Sequence, residues 1–175
     1  MPFGKNPTIN KIMEREPQEE EKIILERAEV GDINKILEIE KDITGTKLYH
    51  GLTGSEDREK DFLDNTFYLI KKDGRVVGNV AYSMKDKDRA YIRWLGIAKE
   101  FQEQGIARKA LQTLIEQLKG VEIIELVTHP ENTKAIALYR SLGFKQIGEQ
   151  MENYFGDGEP KIKMILEKEQ SDQKN

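Results

Sequence analysis

The chain has 175 residues, with 28 Lys and Arg against 32 Asp and Glu for a net charge of −4, which argues against a general nucleic-acid binder. The absence of cysteine rules out disulfides, a thiol nucleophile and thiolate-built zinc sites, and two histidines, His50 and His129, are too few for a multi-histidine metal centre. No stretch approaches the roughly 18–20 apolar residues of a membrane span, and residues near Met1 lack the apolar core of a signal peptide, so a cytoplasmic protein with no membrane partner is expected.

Residues 1–20 carry Pro2, Pro7 and Pro17 and end in an acidic run, which reads as a solvated tail. Residues 23–28 suggest a first strand. Asp32 is read as the N-cap of a helix whose inner face carries Ile33, Ile36 and Leu37. The pattern breaks over residues 42–55, and a short charged helix is expected at 55–63. Residues 66–71, 76–84 and 90–97 are rich in β-formers and are joined by Asp73-Gly74 and by the charged turn 85–88. Three strands with short links predict an antiparallel meander.

Apolar residues at 106, 107, 110, 111, 114, 115 and 118 recur at steps of three and four, the signature of an amphipathic helix over 105–119. A nearly continuous apolar strand follows at 121–128, and its helical link makes it parallel to the strand before. A helix over 133–142 ends at Gly143, and strands are predicted at 144–149 and 161–167. The order is βα(α)βββαβαββ, an α/β (α+β) chain with a mixed central sheet of about six to seven strands and flanking helices. One domain over 21–168 with polar tails at 1–20 and 169–175 is expected.

The junction after the third meander strand carries Gln102, Gln104, Gly105, Ile106, Ala107 and Arg108. Gly105 and Ala107 let a ligand approach the backbone, and the first N–H groups of the following helix make a site for an anion such as pyrophosphate. Arg108 and Lys109 fall in the helix's first turn, where the macrodipole disfavours bases, and a bound polyanion would reconcile the two. A tight turn with solvent-facing charges is the plain alternative.

Two motifs here resemble the GNAT superfamily of acyl-CoA N-acyltransferases. The first is Gln102-x-x-Gly105-x-Ala107, similar to Arg/Gln-x-x-Gly-x-Gly/Ala. The second is Asn132, Ala135, Leu138-Tyr139 and Gly143-Phe144, spaced as in the family's Asn-x-x-Ala-x-x-Leu-Tyr-x-x-x-Gly-Phe. The resemblance implies a GNAT fold, acetyl-CoA as cosubstrate and no metal. It implies that Gln102, Gln104, Gly105, Ile106, Ala107 and Arg108 bind the coenzyme A pyrophosphate, with Asn132 in the second motif. It further implies that the strands ending at Ile97 and Thr128 splay apart, so that Leu95 and Ile97 backbone groups meet the pantetheine arm and a backbone N–H polarises the thioester carbonyl.

Acyl transfer to an amine needs a neutral amine, a polarised carbonyl and a stabilised leaving thiolate. The resemblance makes Tyr139 the proton donor; otherwise Tyr139 simply packs its helix face. A RimI-type ribosomal-protein N-terminal acetyltransferase has a glutamate where this chain has Val127, so the general base is open. Tyr91 is the favoured substitute, at a position where a NatE-type N-terminal acetyltransferase has a functional tyrosine; His129, Glu149 or a base acting through water are the others. The Asn153-Tyr154-Phe155 run resembles the Asn-Tyr-Tyr of N-terminal acetyltransferases and makes Tyr154 and Phe155 candidate substrate contacts, alongside the irregular stretch 42–55.

The expectation is an acetyl-CoA-dependent N-acetyltransferase acting on a primary amine, with a protein N-terminal amine favoured. A small amine (polyamine, amino acid or antibiotic) and a non-catalytic acyl-CoA-binding module are the alternatives. Direct nucleic-acid contact is not expected, and a homodimer is left open.

Overall fold

The computed structural model describes residues 22–41, 43, 48, 51–52 and 55–168. The expected tails at 1–20 and 169–175, and most of the irregular stretch 42–55, lie outside the described residues. Seven strands form one mixed sheet in the order β1-β2-β3-β4-β5-β7-β6. They are β1 (Ile23–Arg27), β2 (Thr66–Lys72), β3 (Arg75–Met84), β4 (Arg89–Ile97), β5 (Ile123–Thr128), β6 (Lys145–Met151) and β7 (Lys161–Glu167). The helices are α1 (Ile33–Lys41), α2 (Arg58–Leu63), α3 (Ile106–Gln117) and α4 (Thr133–Ser141).

The predicted meander is present, with β1, β2, β3 and β4 paired antiparallel in succession. Asp73 and Gly74 both have positive φ, 49° and 83°, the turn whose twist matches the two strands it joins. β4 and β5 run parallel, as the α3 crossover requires, and β7 pairs antiparallel with both β5 and β6.

Alternation along the strands divides two cores. Ile70, Val80, Ala90, Ile92 and Ile97 pack with Ile106, Ala110, Leu111 and Leu114 of α3 and with Tyr139 of α4. Phe67, Leu69, Ala81 and Trp94 pack with Ile36 of α1 and Phe62 of α2 on the other face. The Phe62, Phe67 and Trp94 rings stack in series, with centroids 4.9 and 5.2 Å apart.

One local expectation is corrected. Asp32 is not the N-cap of a helix beginning after it. Val30–Asp32 form a 3-10 turn leading into α1, and the Asp32 carboxylate reaches back to accept the Glu29 backbone N–H at 3.0 Å and the Lys35 ammonium at 2.7 Å. Glu40 is fully buried at the end of α1 and accepts from Asn79 Nδ2 at 3.2 Å, a polar pair inside an otherwise apolar layer.

Candidate functional site

The site is made by a break in the sheet. β4 and β5 pair only over Arg89–Tyr91 and Ile123–Glu125. In the β3–β4 ladder Ala81 faces Trp94 and Tyr82 faces Ile92, so Arg93 is an extra residue without an opposite number. A bulge bends its strand and re-aims the residues after it. Simple alternation would put Ala90, Ile92 and Trp94 on one face; instead Ala90 and Ile92 join the α3 core while Trp94 joins the opposite one. Beyond the bulge β4 leaves β5, and a cleft of about 470 Å³ opens between them. Its walls include Tyr91, Arg93, Leu95 and Ile97 of β4 and Val127 and Thr128 of β5.

One end of the cleft is the start of α3. Gly105 has φ +76° and caps the helix, and a Cβ placed there would meet no atom within 4 Å, so the space over it is open. Lys109 N–H bonds the Gly105 carbonyl at 3.1 Å, whereas the N–H groups of Ile106, Ala107 and Arg108 lie ahead of the helix's own ladder. No acidic residue occupies the first turn. Gly105, Ile106, Ala107 and Arg108 all line the cleft. Open backbone, orphan donors and a basic side chain suit the phosphates of coenzyme A.

The two glutamines of this turn have other work. The Gln102 side chain lines the cleft, but its Nε2 donates to the Ile97 carbonyl at 2.9 Å and ties the turn to the end of β4. Gln104 does not line the cleft. Its Nε2 donates to the Glu100 carbonyl and its Oε1 accepts from Lys72 Nζ at 2.9 Å. Asn132 lines the cleft and is also the N-cap of α4, its Oδ1 accepting the Ala135 N–H at 3.3 Å.

Tyr139 is reached from α4. Its ring packs against Phe144 with centroids 5.8 Å apart, and burial pushes its phenol pKa up to about 12. The phenol therefore stays protonated at any ordinary pH. Full transfer of its proton to a thiolate, whose thiol pKa is ~8.5, would be uphill by roughly 5 kcal/mol. Donation of a hydrogen bond carries no such penalty.

The base candidates fare differently. Burial raises the Tyr91 phenol still further, with the neighbouring Tyr154 adding to it, so a Tyr91 phenolate is out of reach near neutrality. Lys85 and Arg93 lie over its ring at 5.1 and 5.7 Å. His129 is buried with both ring nitrogens engaged: Nδ1 accepts the Glu131 N–H at 3.1 Å and Nε2 lies 3.0 Å from the Glu159 carboxylate. Since Nδ1 is an acceptor, Nε2 carries the proton and donates. His129 thus latches the 153–160 loop to the end of β5. Glu149 sits on exposed β6 and does not line the cleft. Among the described lining residues the sole carboxylate is Glu103, which is ion-paired to Lys134.

Tyr154 and Phe155 stand on the 153–160 loop, 42% and 48% exposed, with rings in edge contact at 4.8 Å, and Tyr154 is not among the residues lining the cleft. Phe155 lines the cleft. Asn153 shapes the loop rather than the site: at φ 50° its Oδ1 accepts the Gly158 N–H at 2.7 Å. Leu48, from the irregular stretch, also reaches the cleft.

Three residues escaped the sequence reading. Arg93 is not singled out in the sequence, and only pairing register exposes it as the bulge. Lys161 looked like a polar strand start, yet it is 2% exposed and lines the cleft. Glu125 interrupts an apolar strand, which was a signal; it is fully buried at the last β4–β5 pair, opposite Tyr91. Lys85, Arg89 and Lys163 surround its carboxylate. Burial pushes that carboxyl up, but the hydrogen bonds from Lys163 and Lys85 outweigh it and hold the group below the usual range.

Solved structures share this architecture. The ribosomal-protein-S18-alanine N-acetyltransferase from Escherichia coli superposes with a TM-score of 0.67 at 24% identity, over 83% of this chain and 94% of that one. A spermidine N-acetyltransferase from Vibrio cholerae gives 0.65 at 19%, over 83% and 93%. Curated relatives include N-alpha-acetyltransferase 30 of Schizosaccharomyces pombe, 35% identical over 80 residues, covering 45% of this chain and 53% of that protein. The N-alpha-acetyltransferase RimI of Mycobacterium tuberculosis is 27% identical over 95 residues, covering 53% and 60%. The chain thus spans little more than half the length of these two relatives, and 29% and 40% of two others. The model of the acetyltransferase (GNAT) family matches residues 33–144, which hold the bulge, the α3 turn and both motifs, and the chain belongs to that family.

Proposed function

We propose that the protein is an acetyl-CoA-dependent N-acetyltransferase whose acceptor is a protein N-terminal amine. The observation that carries this reading is the continuous cleft. It runs from the open backbone at Gly105, past Tyr139, to the exposed Phe155, whose ring meets that of Tyr154. The names of relatives such as N-alpha-acetyltransferase 30 and RimI favour a peptide amine.

Acetyl-CoA supplies an activated thioester. Ile106, Ala107 and Arg108 would hold its phosphates at the start of α3. Leu95 and Ile97 lie on the free edge of β4, where backbone groups released from β5 are available to the pantetheine arm. The Ile97 carbonyl already accepts from Gln102, which leaves Leu95 as the better placed of the two. Tyr139 donates a hydrogen bond towards the leaving sulfur and keeps its own proton. Tyr91 serves as a wall and neutral hydrogen-bonding group, not as a base. Among the described lining residues there is no free carboxylate or imidazole, and in this reading the acceptor sheds its proton to water.

The test is transfer from acetyl-CoA to a panel of peptides and small amines, read by mass spectrometry. Modification of peptide α-amines is expected, with kcat/KM rising with pH towards a plateau near the acceptor amine's own pKa of ~8. Tight coenzyme binding with no transfer to any amine would refute the reading.

A further inference from the structure

Among the described residues, Lys161 is a buried cation without a hydrogen-bonding partner. It is 2% exposed, begins β7 beside the end of β5, and lines the same cleft as Tyr139. Among the described residues its Nζ has no hydrogen-bond partner, and it lies over the Phe155 ring, 5.8 Å from the centroid. The nearest acid in sequence, Glu159, is bound instead by His129. A buried ammonium left this way is costly unless something completes it.

The charge of this end of the cleft points the same way. Arg93 lines it with Lys161, stacked at 5.1 Å over Trp94 and 5.7 Å over Tyr91. The sole carboxylate among the described lining residues, Glu103, stands at the coenzyme end and is paired with Lys134. A polycation would meet two like charges here, and the one described carboxylate nearby, Glu159, is already engaged by His129. An anion would find a preformed partner in a water-poor setting, where a charge-assisted hydrogen bond is strong.

We propose that Lys161 binds a carboxylate of the acceptor, so that the preferred substrate carries a carboxylate close to its amine. This rests on the acetyl-transfer reading above. Two sources supply that chemistry: the side chain of an acidic first residue in a peptide, and the α-carboxylate of a free amino acid.

The experiment compares acetylation of tetrapeptide amides that differ only in a first residue of Asp, Glu, Ser or Lys, with free aspartate, free glycine and spermidine. Both the wild type and Lys161→Met are assayed. Preference for Asp- and Glu-initiated peptides is expected if the side-chain carboxylate is the ligand, and preference for the free amino acids if the α-carboxylate is. Lys161→Met should raise KM for the preferred class about 10- to 100-fold, and Lys161→Arg should recover part of it. Acetyl-CoA affinity should not move in either variant. Equal use of Ser peptides or spermidine, or an unchanged ratio in Lys161→Met, would overturn the assignment.

If no amine is acetylated at all, the acceptor reading fails on its own account. Binding then decides on Lys161: N-acetyl-Asp and N-acetyl-Ser tetrapeptide amides and N-acetylglycine are titrated into the coenzyme A-loaded protein. Tighter binding of a carboxylate-bearing ligand, lost in Lys161→Met, supports the assignment. No such difference overturns it.

Discussion

Replacement of Gly105 by glutamate separates the anion cradle from the fold that holds it. A Cβ at this position meets nothing within 4 Å, so a side chain has room to leave the backbone there. What it does introduce is a side chain at φ +76°, which costs roughly 1–2 kcal/mol. For a chain of this size each kcal/mol lowers Tm by about 2–4 °C, so a drop of a few degrees is expected. Coenzyme binding should suffer far more. A carboxylate about 4 Å from one phosphate charge is opposed by about 4 kcal/mol at an effective dielectric of 20, which corresponds to about 1000-fold in Kd. Gly105→Ala carries the same backbone strain without the charge and serves as the control. Calorimetric titration of coenzyme A, with thermal unfolding run in parallel, reads both quantities. A Tm that falls as expected while Gly105→Glu binds coenzyme A like Gly105→Ala would refute the phosphate assignment.

Tyr139→Phe removes one hydrogen-bond donor to the developing thiolate and should lower kcat by about 100-fold while acetyl-CoA affinity stays within about twofold, as measured by steady-state kinetics and calorimetry. Because the Tyr139 pKa is raised to about 12 from 10, its contribution to stability is complete below pH 10 and is lost as pH climbs to 12. Tyr139→Phe should therefore flatten the alkaline part of a denaturation series by about 3 kcal/mol. Gln102→Leu removes the amide that ties the α3 turn to the Ile97 carbonyl, and should cost about 1 kcal/mol in urea unfolding and raise KM for acetyl-CoA. Glu125→Gln leaves Lys85, Arg89 and Lys163 crowded without their anion. A loss of about 2 kcal/mol is expected, below the value for a fully buried pair because the three cations are 30–45% exposed. Since the Glu125 carboxyl is held below its ordinary value, wild type should shed that advantage as pH falls beneath about 4.5, and the variant should not.

Most of the fold and one end of the site were legible in the residues. Periodicity separates α3 from the strands around it, because burying one face of a helix and one face of a strand demands different spacings. The Asp73-Gly74 turn announces the hairpin, and the helical crossover dictates that β4 and β5 run parallel. The Gly105 turn and the Asn132–Phe144 motif are local features, readable because each works through residues adjacent in the chain.

What only the tertiary structure decided is non-local. The bulge at Arg93 depends on how β3 and β4 register, and no pattern within β4 alone reveals it. That single extra residue turns Trp94 to the opposite core and releases the edge of β4 that frames the cleft. The surroundings of the base candidates are non-local for the same reason. Tyr91 became too buried to ionise, and His129 became a latch once Glu159, 30 residues away, reached it. Lys161 has the composition of a surface strand residue, and only the packing of β7 beneath the 153–160 loop makes it a buried charge. Burial and pairing across the chain are properties of the folded whole, so chemistry that depends on desolvation cannot be read from spacing along the sequence.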